Sequence, residues 1–149
     1  MQPLHIGFVP MALLVALLLT AGVAIAQEQE LDLREANVTA VSVSRSGESY
    51  RFDVTLIHDD DGESGYANWW QVETLGGERL GRRTLLHPHG TREFTRSDTI
   101  RIPSEIERVV VRGHDQTHGY GGRAMIVDLR TGETEAVDQG TEPRELSDR

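Results

Sequence analysis

Apolar and polar residues alternate along most of the chain between positions 38 and 130, the period of two that marks strands with one buried face. The clearest run is YRFDVTLIH (50–58), where Tyr50, Phe52, Val54 and Leu56 share one face and Arg51, Asp53 and Thr55 the other. VTAVSVS (38–44) alternates as well, and RSGE (45–48) supplies the turn between the two. A third strand is predicted over YANWWQVET (66–74), with Gly76-Gly77 turning the chain into a fourth over 79–86. The fifth covers 95–102, where Ile100 and Ile102 share a face before Pro103-Ser104 stops the run. Val109-Val110-Val111 marks a central sixth strand over 107–113, and RAMIVDLR (123–130) forms the seventh. Between these last two, HDQTHGYGG (114–122) is rich in glycine and is expected to be a loop rather than a strand or helix.

Short strands at regular spacing, separated by turn signals, predict an all-β domain. With a tryptophan on the third strand, the pattern resembles an immunoglobulin/fibronectin-III-like antiparallel β-sandwich of about seven strands. The resemblance is to an architecture, so function has to be argued from residues. Trp69 and Trp70 are adjacent and face opposite sides of their strand: one enters the core, and the other is covered or stands as a platform for a sugar or a partner protein.

The flanks differ in kind. Residues 1–26 hold the apolar run MALLVALLLTAGVAIA, and Ala24-Ile25-Ala26 ahead of Gln27 has the small-x-small form of a signal-peptidase site. A cleaved signal peptide implies export, to a periplasm or the medium, with no membrane association afterwards. Residues 27–37 read as a polar leader and 38–130 as the β-sandwich domain. Residues 131–149 are nearly free of apolar side chains and are expected to form a disordered acidic tail.

Charge and chemistry narrow the function. The net charge is −9, and all fifteen basic residues are arginine. So acidic a chain is a poor candidate for nucleic acid, whose affinity comes from phosphate neutralisation. Absence of lysine removes Schiff-base chemistry. Absence of cysteine removes disulfides, a thiolate nucleophile, a lipid-attachment thiol, and any cysteine-ligated zinc or blue-copper site. No serine sits in a G-x-S-x-G setting, and the chain is not expected to be an enzyme.

The histidines carry the most specific expectation. If successive strands run antiparallel, the second, fourth and sixth point the same way. His58 ends the second, His87 and His89 follow the fourth, and His114 and His118 follow the sixth. All five then lie at one pole, where imidazoles are suited to bind Cu²⁺ or Zn²⁺, with Asp115 as a carboxylate ligand or orienting group. Asp59, Asp60 and Asp61 suggest Ca²⁺ more weakly: the EF-hand spacing is missing, and a solvated acidic loop accounts for them. Arg82, Arg83, Arg92 and Arg96 cluster around the fourth and fifth strands and could bind an anion, but pairing with the abundant carboxylates is the stronger expectation. The expected function is an exported sandwich binding a metal ion for storage, delivery or structural clamping. The alternative is a metal-free interaction module that contacts an exported protein partner or a glycan.

Overall fold

The alternation of residues 50–58 is realised in β2 (Ser49–Ile57), where Phe52, Val54 and Leu56 are fully buried. The computed structural model describes residues 30–60 and 62–149. The expected signal peptide (1–26) and Asp61 lie outside the described residues. Around β2 are arranged β1 (Asn37–Ser46), β3 (Ala67–Glu73), β4 (Arg79–Thr84), β5 (Phe94–Arg101), β6 (Arg108–Asp115), β7 (Gly119–Tyr120), β8 (Arg123–Asp128) and β9 (Thr134–Asp138). The fold is all-β, and every strand pairing is antiparallel.

Two sheets result. The smaller has the order β1-β2-β5; the larger has the order β4-β3-β6-β8-β9, with β7 paired to the end of β6. Their inner faces share one core: Val38, Val41, Phe52, Val54 and Leu56 meet Trp70, Val72, Val109, Val111, Met125 and Val127. Trp70 is therefore the core tryptophan, and Trp69 faces outward from the larger sheet. Along the open side, β4 approaches β5 closely enough that a Cβ on Gly81 would meet the Ile100 side chain at 2.7 Å.

Two expectations are corrected. The 114–122 stretch is a hairpin rather than a loop: β6 runs on to Asp115, and β7 pairs back on it through His114↔Tyr120 and Asp115↔Gly119. Its glycines answer two separate demands. Gly119 turns the chain at φ +82°, and a Cβ on Gly121 would collide with the backbone carbonyl of Ala36. The leader is docked there, with Ala36 and Asn37 buried and Asn37 Nδ2 donating to the carbonyls of Asp32 (2.7 Å) and Glu35 (2.8 Å).

The expected disordered tail is also corrected. Residues 134–138 extend the larger sheet as β9, and Val137 and Leu146 pack on Val110, Ala124 and Ile126 of its outer face. The backbone N–H of Leu146 donates to the Leu75 carbonyl at 2.9 Å. Beneath this segment Arg112 is fully buried, donating to Glu73 Oε2 at 2.5 Å and to the Arg144 carbonyl at 2.6 Å. Two apolar side chains suffice because the outer face of β6 and β8 already presents three.

Candidate functional site: the histidine pole and the outer face of the larger sheet

The loops after β2, β4 and β6 meet at one pole, where two carboxylates with fully buried side chains organise them. Asp60 Oδ1 accepts from His58 Nδ1 at 2.5 Å and from the Ala67 backbone N–H at 2.8 Å; its Oδ2 accepts from the His89 backbone N–H at 2.6 Å. Asp115 Oδ1 accepts from the backbone N–H groups of Thr117 (2.8 Å) and His118 (2.6 Å), and its Oδ2 lies 3.6 Å from His58 Nε2. Each carboxylate thus gathers backbone donors from a strand end and the loops around it.

Between them stands His58, 1 % exposed. Its Nδ1 faces a carboxylate, and its Nε2 faces the Arg34 carbonyl at 3.0 Å. The carbonyl can only accept, so Nε2 carries a proton, and the raised pKa of the ring puts a second proton on Nδ1, making it an imidazolium. Burial works against the charge, but Asp115 and Asp60 outweigh it and hold the pKa up at about 9. Reciprocally, Asp115 is pushed up by burial yet held below the usual carboxylate range by His58 and the two backbone donors. The pair is a clasp that ties the leader to two loops, and a metal ion at this ring would have to displace one of its protons.

The other histidines diverge. His89 stacks on Phe94, ring centroids 3.9 Å apart, and tilts against His87 at 4.5 Å. His118 is exposed, its Nδ1 3.5 Å from Asp115 Oδ1. His114 belongs to a different surface: it is on the outer face of β6, its Nδ1 2.7 Å from Asn68 Oδ1. Contacts through Asp60 and Asp115 therefore connect His58, His89 and His118, His87 joins only through the His89 ring, and His114 is left apart. Among the described residues, no group of three or more His, Asp or Glu side chains is placed to hold a metal ion. Of the aspartates considered for Ca²⁺, Asp60 is spent on the contacts above, and Asp59 approaches His58 Nε2 at 3.7 Å.

On the outer face, Trp69 is held between two strands' side chains. The His114 ring from β6 stacks on it at 4.1 Å and 12°, and the Arg82 guanidinium from β4 lies 3.8 Å from the ring centroid. Tyr120 meets both rings edge-on, at 5.4 and 5.6 Å. Arg82 also donates through Nε (2.9 Å) and Nη2 (2.6 Å) to Gln71 Oε1, and Gln71 in turn donates to Glu73, the partner of buried Arg112. His114 is kept below its ordinary pKa by burial, with a smaller opposing pull from Asp115 and a further push from Arg82, so it is neutral near pH 7. Trp69, His114 and Tyr120 are half-buried and Arg82 is exposed. The composition hinted at this cluster only through the paired tryptophans, because Arg82, His114 and Tyr120 come from three separate strands.

The arginine expectation is corrected too. None of Arg79, Arg82, Arg83, Arg92 or Arg96 forms an ion pair with a described residue. The carboxylates lie mostly elsewhere: residues 79–101 hold six arginines and only Glu93 and Asp98 as acids.

No family model matches the chain. It is similar to a protein of Halomicrobium mukohataei named "Putative lipoprotein", with 63% identity over 123 residues, which is 82% of this chain and 61% of that protein. The chain thus spans about three-fifths of the length of the relative it matches. Among solved structures, a superoxide reductase (1Fe-SOR) from Giardia intestinalis is similar at a TM-score of 0.39 and 12% identity, over 69% of this chain and 99% of that one.

Proposed function

We propose that the chain is an exported, immunoglobulin/fibronectin-III-like binding module whose outer β3–β4–β6 face docks an acidic surface of a partner protein. Three strands facing a larger sheet, with β4 paired to β3 rather than to β5, support the fold reading. Export is supported by the apolar leader and by the name of the relative, although these 149 residues contain no cysteine for lipid attachment.

The observation that carries the docking face is Trp69, fixed between Arg82 and His114 on the part of the outer face that the C-terminal segment leaves uncovered. Tryptophan, tyrosine and arginine dominate the energetic centres of protein interfaces. Here they are already ordered by hydrogen bonds, which lowers the entropic cost of docking. A glycan is disfavoured because both faces of the indole are covered, leaving only its edge. Charge points to an acidic partner, since Arg79 and Arg82 form no ion pair with a described residue and neighbouring Glu73 is engaged by Arg112.

The test compares proteins retained by the purified wild type with those retained by Trp69→Ala, Arg82→Ala and, as a charge control, Arg101→Ala. Arg101 pairs with Glu48 at the opposite pole. A partner that Arg101→Ala keeps and the two face variants lose by at least about thirtyfold in Kd, the hot-spot scale of roughly 2 kcal/mol, supports the reading. Equal retention by all four proteins overturns it.

A further inference from the structure

At the open side of the sandwich, Arg83 on β4 and Arg96 on β5 both point inward. Arg83 pairs in register with core Trp70, and Arg96 with core Val54. Together with His87, His89, Leu85 and Leu86 they line a cavity of about 150 Å³. That is room for about five waters at the liquid share of roughly 30 Å³ each. Arg83 Nε is buried and has no hydrogen-bond partner. The Arg96 side chain donates through Nη1 only to its neighbour's carbonyl, Thr95 O at 2.8 Å, and its guanidinium lies 5.7 Å from the Phe94 ring centroid. Neither guanidinium has a carboxylate within ion-pair reach among the described residues, in a chain of net charge −9. Buried polar groups are normally satisfied, and an inward arginine fork without an acceptor asks for one from outside the chain.

We propose that this cavity is an oxyanion site, in which Arg83 and Arg96 grip a phosphate-, sulfate- or carboxylate-type group beside the imidazoles of His87 and His89. The geometry supplies what such a ligand needs: two planar guanidinium forks from facing strands, the buried Leu85 in the lining, and the His87 and His89 rings beside them. Asp60 Oδ2 lies 3.7 Å from His89 Nδ1, and that carboxylate is already matched by the His58 imidazolium. His89 is held below its ordinary pKa by burial and then by the charge of Arg96, against a weaker pull from Asp60. The arginine field therefore reaches the cavity without being neutralised. This site is independent of the docking face, which lies on the opposite side of β4.

The test is a titration of the whole chain with sodium phosphate, sulfate and acetate at constant ionic strength set by chloride, followed by the Arg Nε–H resonances and by melting temperature. Expected is a saturable shift of the Arg83 Nε–H signal with at least one oxyanion, and a rise in melting temperature over chloride. Both are lost in Arg83→Gln and Arg96→Gln and kept in Arg101→Gln. Arg83→Lys, which keeps charge but not the fork, is expected to weaken binding at least tenfold. Preference for phosphate or sulfate identifies a phosphoryl- or sulfuryl-type group, preference for acetate a carboxylate, and either supports the site. Linear, unsaturable shifts equal to those of chloride, or saturable binding undiminished in both glutamine variants, overturn it. Should Arg83→Gln fail to fold, Arg96→Gln alone decides.

Discussion

His58 Nδ1 lies 2.5 Å from Asp60 Oδ1, and both side chains are removed from solvent. Because the opposite nitrogen also faces an acceptor, this buried contact is an ion pair at neutral pH, and stability must respond to the charge of the ring. His58 is raised from 6.5 to about 9, so its contribution is fully present below pH 6.5 and is lost as pH rises through about 9. The shift corresponds to a contribution on the order of 3 kcal/mol. Asp115, depressed below 3.8, contributes above that value and loses its contribution as pH falls further. Urea unfolding between pH 3 and 10 is expected to give highest stability between about pH 4 and 6.5, with a falling limb up to pH 9. His58→Gln should flatten that upper limb, and an upper limb unchanged in the variant would refute the assignment.

Removing the charge of Asp60 tests the same clasp from the other side. Asp60→Asn leaves His58 facing an amide and weakens the acceptor for the backbone N–H groups of Ala67 and His89. Breaking one partner of a buried pair typically costs about 3–5 kcal/mol. The His58 titration observed by NMR should move down toward or below 6.5, and amide exchange at Ala67 and His89 should accelerate ahead of the β6 core. Uniform acceleration across the molecule would instead mean a global loss of stability with no special link to these loops.

Gly121 offers a purely steric prediction. A Cβ there would run into the Ala36 carbonyl, and Gly113 on the neighbouring strand faces the same obstacle. Gly121→Ala is expected to displace residues 32–37 and cost more than about 3 kcal/mol, in the range reserved for backbone conflicts and lost buried contacts. Protection at Asn37 and Asp59, whose backbone N–H donates to Leu33 O at 2.8 Å, should fall first. A fully stable Gly121→Ala protein would show that the leader does not dock as described.

Much of this was legible from residue pattern, and the parts that were not share a cause. Period-two alternation exposed β1, β2 and β5, which have one dry face, and apolar runs between turn signals exposed β6 and β8, each within a few residues. It could not show the docking of residues 131–149, since a segment that buries two side chains has no period. The signal was nevertheless present in β6 and β8: Val109-Val110-Val111 and Ala124-Met125-Ile126-Val127 are apolar on both faces, which requires a cover on each side of the sheet. Antiparallel connectivity implies that the loops after β2, β4 and β6 share a pole, but it does not give ring direction. His114 lies on β6 and points outward to Trp69, while His58 points inward to Asp60. Likewise the arginines of 79–101 could be counted in sequence, but only strand register reveals that Arg82 faces outward and Arg83 inward.

Transition-metal addition distinguishes a clasp from a coordination site. His58, at the centre of the pole, lacks a free lone pair while protonated, and His114 is committed to Asn68. Equimolar Zn²⁺ or Cu²⁺ at pH 7 is expected to leave the melting temperature unaltered, because a ligand that binds only the native state would have to raise it. A rise of several degrees, abolished by His58→Gln, would require the pole to rearrange around the ion and would support the histidines as ligands.

Leu146 tests whether the C-terminal segment belongs to the folded unit. It is 1 % exposed, packs against Val110, Ala124, Ile126 and Val137, and is anchored by its backbone N–H to Leu75. Leu146→Ala removes most of that contact, and deletion of residues 140–149 also takes the Arg144 carbonyl from buried Arg112. The point variant is expected to cost about 2–3 kcal/mol, the lower part of the range for large-to-small core changes, since a small satellite cluster near the surface can partly collapse. Deletion should cost more, because it opens the Arg112–Glu73 pair and its Gln71–Arg82 extension to water, and should loosen Trp69. Tryptophan fluorescence then offers a local readout: a red shift in the deletion protein before global unfolding, with the Trp70 contribution unchanged in a Trp69→Phe background. If deletion leaves both melting temperature and emission unaffected, the segment is an appendage and the outer face stands open along its whole length.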